Sequence, residues 1–298
     1  MSEAIDRFLA RVDTLLDRLE AMLPQGAQAV DWSAATAFRW RKRGGRGFLD
    51  PVRHPHAIAF ADLLDIDDQK KRVRQNTAQF VAGRPANNVL LTGARGTGKS
   101  SLIKAALNEF SRRGLRLIEV DKADLVDLPD IVDLVAERPE RFIVFCDDLS
   151  FEASDPGYKS LKVALDGTIA GSADNLLIYA TSNRRHLMPE RMAENLEATH
   201  ADDGEIHPGE TTEEKISLSE RFGLWLSFYP FDQDHYLAIC THWLRHFGVE
   251  EKLCGAVSSR TALAARQEAL QWSLERGSRS GRVAWQFARD YAGRSRRT

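Results

Sequence analysis

Eight consecutive residues, Gly93-Ala94-Arg95-Gly96-Thr97-Gly98-Lys99-Ser100, have the types and the spacing to grip phosphate oxygens. Glycines let the backbone turn so that successive N–H groups point inward at an anion. The helix that follows offers its positive end to the same charge. Lys99 is placed to reach the β- and γ-phosphates, the Ser100 hydroxyl to ligate magnesium, and Ser101 to extend the loop into the helix. The alternative is a plain glycine-rich turn. Against it stand an apolar strand before the loop, Asn88–Thr92, and an amphipathic helix after it, with Leu102, Ile103, Ala106, Leu107 and Phe110 on one side.

A second run, Phe142-Ile143-Val144-Phe145-Cys146-Asp147-Asp148, is an apolar strand that ends in two acids. In open α/β sheets ligands collect at the carboxyl ends of strands. There Asp147 would hold magnesium through its water shell, and Asp148 would act as base on an attacking water. The other reading, an Asp pair capping a helix, loses ground because the run follows a phosphate loop.

These pieces need a scaffold, and the hydrophobic pattern supplies one. Apolar strands at Asn88–Thr92, Leu115–Val120, Phe142–Cys146, Leu176–Ala180 and Leu224–Phe228 alternate with helices at Lys99–Arg113, Asp127–Glu137 and from Asp155 to about Gly167. Continuous apolar strands separated by helices predict a five-stranded parallel sheet covered on both faces. After Pro230 only helices follow, at Asp232–Phe247, Ser258–Arg276 and Arg282–Tyr291. Residues 4–23 show helical spacing from Ile5 to Leu23 and read as an N-terminal helical extension. Residues 31–56 mix Trp32, Phe38 and Trp40 with Arg39, Arg41, Lys42, Arg43 and Arg46. That mixture reads either as a linker held down by its aromatics or as a stacking surface for single-stranded nucleic acid. Residues 199–215 are polar and without period, which reads as an exposed loop. The predicted organisation is 1–56 helix and linker, 57–230 nucleotide-binding core, and 231–298 helical lid.

Composition sets limits on partners. The chain has 298 residues, 43% hydrophobic and 28% charged, with a net charge of −2, so no global field drives binding to nucleic acid or to an anionic membrane. No apolar run approaches a bilayer span, and the charged N-terminus lacks the apolar segment of a signal peptide. Three scattered cysteines, Cys146, Cys240 and Cys254, suit reduced thiols in a cytoplasmic protein.

The phosphate loop, Phe142–Asp148 and the helical tail resemble the AAA+ class of P-loop ATPases. From about Ala57 onward the chain is similar to a bacterial AAA-type ATPase family designated domain of unknown function 815. The runs NNVLLTGARGTGKSSL, FIVFCDDLSFE and YATSNRRHLMPE carry that match. The resemblance implies ATP as ligand with Mg2+, and a lid that closes on the nucleotide. It implies that Asn183 holds the attacking water, and that Arg221 reaches the ATP of a neighbouring copy or partner subunit. It implies that Arg282, with Arg279 as competitor, ties the lid to the nucleotide. The segment Leu64-Asp65-Ile66-Asp67-Asp68-Gln69 would wrap the adenine, chiefly through Leu64 and Ile66. The chain departs from the class in having Asp148 where Glu is usual. A displacement near 1 Å can cost about a hundredfold in rate, so slow turnover, or help from Glu152, is expected. Asp121–Asp130 also lacks the aromatic-apolar-glycine trio that grips threaded polypeptide.

Three functions follow. The first is an ATPase whose closure remodels a macromolecular partner, protein or single-stranded nucleic acid, within a homo-oligomer or partner-dependent assembly. The second is a helicase-loader-like ATP switch, suggested by the basic aromatic stretch and by Arg276, Arg279, Arg289, Arg294, Arg296 and Arg297. The third is a small-molecule kinase, disfavoured because no acceptor lid interrupts the core. A GTPase is weaker still, because Asp121-Lys122-Ala123-Asp124 follows the wrong strand for a guanine-reading motif. Residues 191–216 read as solvated loop or partner-binding insertion.

Overall fold

The computed structural model describes residues 30–151, 155–166, 174–184, 187, 199–200, 206–207, 218–250, 252–255 and 259–295. The helix at residues 4–23, Glu152, most of the polar loop, the insertion at 191–216 except its four strand residues, Arg296 and Arg297 lie outside them. The described chain opens with β1 (Ala37–Arg43) and β2 (Arg46–Pro51), then helix α1 (Asp67–Val81). Alternation follows: β3 (Val89–Gly93), α2 (Lys99–Phe110), β4 (Leu115–Glu119), α3 (Leu128–Val135), β5 (Arg141–Cys146), α4 (Pro156–Asp166) and β6 (Leu176–Ser182). Two short strands, β7 (Thr199–His200) and β8 (Ile206–His207), pair only with each other. The main sheet closes with β9 (Leu224–Phe228), and helices α5 (Gln233–His246), α6 (Arg260–Glu275) and α7 (Gly281–Ser295) complete the chain.

The main sheet has seven strands in the order β2-β1-β4-β5-β6-β3-β9. The five expected parallel strands are all present, and a hairpin extends them at one edge. β1 runs parallel to β4, with Phe38 opposite Ile118, and β2 returns antiparallel to it. The prediction of a linker at 31–56 is therefore corrected. Residues 37–43 and 46–51 belong to the sheet, because Phe38 and Trp40 fall on one face by the two-residue strand period while Arg39 and Arg41 fall on the other. Trp32 joins them, edge-on to Phe38 at 5.0 Å and to Phe142 at 4.9 Å between ring centres. Gly44 and Gly45, at φ of 57° and 77°, form the two-residue turn that suits the strands' right-handed twist.

The parallel strands at the centre of the sheet feed both of its faces. Leu90, Val144 and Ile178 pack under α3 and α4 against Ile131, Val135 and Leu161. Val89, Leu91, Ile143 and Phe145 pack under α1 and α2 against Val73, Phe80, Leu102 and Ile103. Burial on both faces is why these strands read as unbroken apolar runs. The lid has its own cluster, in which Tyr236, Leu237 and Cys240 of α5 meet Ala265 and Ala269 of α6 and Ala284 and Phe287 of α7. Segment 63–66 joins the two bodies: Leu63 and Ile66 enter the sheet core, and Leu64 packs on the lid cluster. Among the described residues no helix is long and apolar enough to cross a membrane.

Candidate functional site

The order of strands determines where a site can form. From β3 the chain passes over β6 and β5 to reach β4, and β9 later takes the other side of β3. A crevice opens at the carboxyl end of a strand where connections diverge in this way. At that end Gly93 has φ +120°, and a Cβ there would sit 2.0 Å from the carbonyl oxygen of Phe228. Only glycine fits so close to the neighbouring strand. The Ala94 N–H donates to the same carbonyl at 3.1 Å, and Thr97 Oγ1 donates to Ala94 O at 2.8 Å. The loop is thereby folded back on β9 before α2 begins.

Lys99 opens α2 and is nearly buried. Its Nζ donates to Gly93 O at 2.8 Å, Ala94 O at 2.6 Å and Asn183 Oδ1 at 3.1 Å. All three acceptors are neutral. Burial lowers the ammonium pKa from its ordinary value, and the nearby carboxylates of Asp147 and Asp148 offset that only in part.

The two acids follow β5 directly. Asp147 Oδ1 accepts from Ser100 Oγ at 2.6 Å and from Thr181 Oγ1 at 2.5 Å. Asp148 is one of two non-glycine residues at positive φ among the described ones, at 52°, the other being Asp65 at 59°. Its N–H donates to Thr181 Oγ1 at 2.9 Å, and its Oδ1 accepts from Asn183 Nδ2 at 2.5 Å. The start of α2, the acid pair after β5 and the end of β6 are thus linked to one another by their side chains.

These residues line one cavity of about 590 Å³ between the sheet edge and the lid. Of the residues singled out from sequence, Arg95, Gly96, Thr97, Gly98, Lys99, Ser100 and Ser101 face it, as do Asp147, Asp148 and Asn183. Leu64, Ile66 and Arg282 complete the set from the joint and from α7. Gly93 and Ala94 lie behind the wall, as backbone acceptors of Lys99. Arg282 rather than Arg279 lines the cavity, and its N–H lies 3.4 Å from Gly96 O. Arg221 is not in the wall. Its Nε pairs with Asp166 Oδ1 at 2.6 Å at the end of α4.

Sequence reasoning missed several wall residues. Ile239 and Trp243 on α5 and Trp285 on α7 face the cavity, with Phe231 and His56 near them. Their helical spacing, Ile239 to Trp243 and Arg282 to Trp285, matched ordinary lid core. Thr181 was also passed over, although it stands two residues before Asn183.

The donor set is suited to a hard cation. Ser100 Oγ and the Asp147 carboxylate are oxygen donors within 2.6 Å of each other. Among the described residues no group of three or more His, Cys, Asp or Glu could hold a metal unaided. An ion here would take most of its ligands from phosphate and water, which is how magnesium binds in phosphoryl-transfer sites.

Residues 33–295 match the family described as "Protein of unknown function (DUF815)". The match begins at residue 33 rather than near Ala57, so it takes in the hairpin. An 80-residue stretch is 36% identical to the replication factor C large subunit of Staphylothermus marinus, covering 25% of this chain and 18% of that one. Among solved structures, a Thermotoga maritima RuvB variant superposes with a TM-score of 0.49 at 16% identity, over 78% of this chain and 63% of that one. PCH-2 of C. elegans gives 0.47 at 16% identity, over 76% and 62%. The matches therefore span less than two thirds of the length of each of these relatives.

Proposed function

The chain belongs to the DUF815 family and joins a mainly parallel α/β core to a helical lid, and from that premise we propose that it is an AAA+-type ATPase that binds ATP with Mg2+ and hydrolyses it to drive lid closure on behalf of a macromolecular partner. One observation carries the reading: Lys99, Ser100, Asp147, Asp148, Asn183 and Arg282, from four separate segments, converge on a single cavity. Lys99 and the first N–H groups of α2 bind the β- and γ-phosphates. Ser100 and Asp147 hold the ion, which when bound neutralises charge on the transferring phosphoryl group. Asp148 takes the proton of the attacking water, and Asn183 orients that water. Leu64 and Ile66, with Trp243 and Trp285 of the lid, supply the apolar wall for the base. Arg282 couples the lid to the phosphates. Arg221, anchored on Asp166, serves the site of an adjoining subunit, and its planar fork suits phosphate oxygens.

Asp148 fits the position that Glu fills elsewhere in the class. Asp is among the few side chains that tolerate the left-handed backbone found there. Titration calorimetry with MgATP tests the reading, with tight binding by the wild-type chain and none by Lys99→Ala as the expected pair. Arg221→Ala should keep binding and lose turnover at protein concentrations that favour assembly. Normal hydrolysis by that variant would remove the trans role.

A second reading, a switch that acts on single-stranded nucleic acid, keeps one supporting observation. Arg41, Arg43 and Arg46 are exposed together at the hairpin tip. The stacking surface, the alternative reading of that stretch, is withdrawn, because Trp32, Phe38 and Trp40 are core residues. Retention on single strands that falls steeply with salt would favour this reading.

A further inference from the structure

We infer that Thr181 is a positioning residue that sets the geometry of the whole acid turn, a role that rests on the nucleotide reading above and deepens it. Thr181 lies at the carboxyl end of β6, one residue past the last β5–β6 pair, Cys146 opposite Ala180. That register brings it level with Asp147. Its side chain is buried, and it contacts three successive residues of the neighbouring segment. Oγ1 donates to Asp147 Oδ1, and the same oxygen accepts the Asp148 N–H. The Thr181 carbonyl accepts the Leu149 N–H at 2.7 Å. The following residue adds a further bond, Ser182 Oγ to Leu149 O at 2.7 Å.

A hydroxyl has one proton and two lone pairs. Thr181 spends the proton on the carboxylate of Asp147 and a lone pair on the amide of Asp148. The first bond aims the metal-side carboxylate, because one of its oxygens is taken by Thr181 and Ser100 together. The second bond supports the left-handed turn at Asp148, a conformation that is unfavourable for a side chain with a Cβ when unsupported. Asn183 then receives the Asp148 side chain. The two acids are consequently not placed independently: one hydroxyl couples the orientation of the metal-binding carboxylate to the backbone of the base. That coupling lets a side chain shorter than Glu hold a fixed direction in this protein.

The test compares Thr181→Val, which keeps size and β-branching but removes the hydroxyl, with Thr181→Ser, which keeps the hydroxyl. Losing a hydrogen bond to a charged group is expected to lower kcat of the Val variant about 30-fold. Its nucleotide affinity should change less than about threefold, since no contact of Thr181 reaches the phosphate loop except through Asp147, and an interaction made only in the transition state lowers kcat without changing binding. The Ser variant should recover most of the rate. Amide hydrogen exchange in the nucleotide-free protein gives a readout independent of turnover: residues 148–149 should exchange faster in Thr181→Val and as wild type in Thr181→Ser. Should the Val variant fail to fold, Thr181→Ala read against Thr181→Ser carries the same comparison. Unchanged exchange at 148–149, or equal loss of rate in the Val and Ser variants, overturns the proposal. If the wild-type chain binds no nucleotide, the site reading fails. Faster exchange in the Val variant alone would then still support the clamp on the acid turn.

Discussion

Two stretches of this chain look alike in composition. Arg39–Gly47 and Gly93–Ser100 are both short, rich in glycine and cationic, and either could be taken for an anion-binding element. In the structure they do opposite things. Along β1 Trp40 enters the core and donates Nε1 to Asp127 at 2.8 Å, Lys42 on the same face pairs with Asp124 and Asp127, and Arg39 on the other face pairs with Glu119. The two cations that face the body of the protein, Arg39 and Lys42, are thus neutralised by its own carboxylates, and Arg41, Arg43 and Arg46 are exposed. In the phosphate loop no strand period operates. Backbone N–H groups stay unpaired at the start of α2, and the one buried cation meets neutral oxygens instead of carboxylates. A cation matters as a binding group where the fold leaves its charge uncompensated, not where the sequence places most of them.

The largest effect that would test this contrast is Trp40→Ala. If the hairpin is core, the loss of that side chain costs about 4 kcal/mol in chemical denaturation. A cost below about 1 kcal/mol would return the segment to the status of a surface linker. Gly93→Ala comes next, at about 3 kcal/mol, because the new methyl group collides with the β9 backbone and the residue must keep positive φ. A native-like unfolding curve for that variant would contradict the tight approach of the loop to Phe228.

Lys99→Met addresses charge directly. At a hundredfold excess over the wild-type Kd, MgATP should stabilise the wild-type chain by about 2.7 kcal/mol and the variant not at all. Without nucleotide the variant should be at least as stable as the wild type. The reason is a sign: folding lowers the Lys99 pKa, so the unfolded chain binds more protons between the lowered value and 10.5. The group therefore costs stability below its folded pKa, and that cost is relieved as pH rises towards 10.5. Thermal unfolding of both proteins at pH 7 and pH 10 checks it, since the variant should lack this rise. The smallest effect is Gly45→Ala, about 1 kcal/mol, because no atom approaches the added carbon and only the turn's backbone conformation resists. A loss as large as that at Gly93 would mean that open space around a glycine does not separate the two stretches.

Much of the site was readable because its chemistry is contiguous. The phosphate loop needs eight neighbouring residues and a helix start, and the acid pair needs only an apolar strand that ends in carboxylates. Asn183, Arg221 and Arg282 came from family likeness, and the structure brings Asn183 and Arg282, not Arg221, to the chain's own cavity. Thr181 was missed because its importance lies in cross-strand register, which puts it level with Asp147 although 34 positions separate them. Trp243 and Trp285 were missed because a helix face that lines a ligand cavity has the same spacing as one that packs in a core.

What the residues determined unaided was local: where the backbone must turn, which helix presents its N-terminus, and which runs are apolar enough to be strands buried on both faces. These follow from short-range sterics and periodicity. The tertiary structure decided what no local rule contains: that a cationic, aromatic segment adds two strands to the sheet edge, that β6 grips the turn after β5, and that the start of the last helix meets the loop at Gly96 while the lid's tryptophans line the same cavity. Each depends on pairings between distant segments, where many registers satisfy the same hydrophobic pattern and only packing of the whole chain selects one.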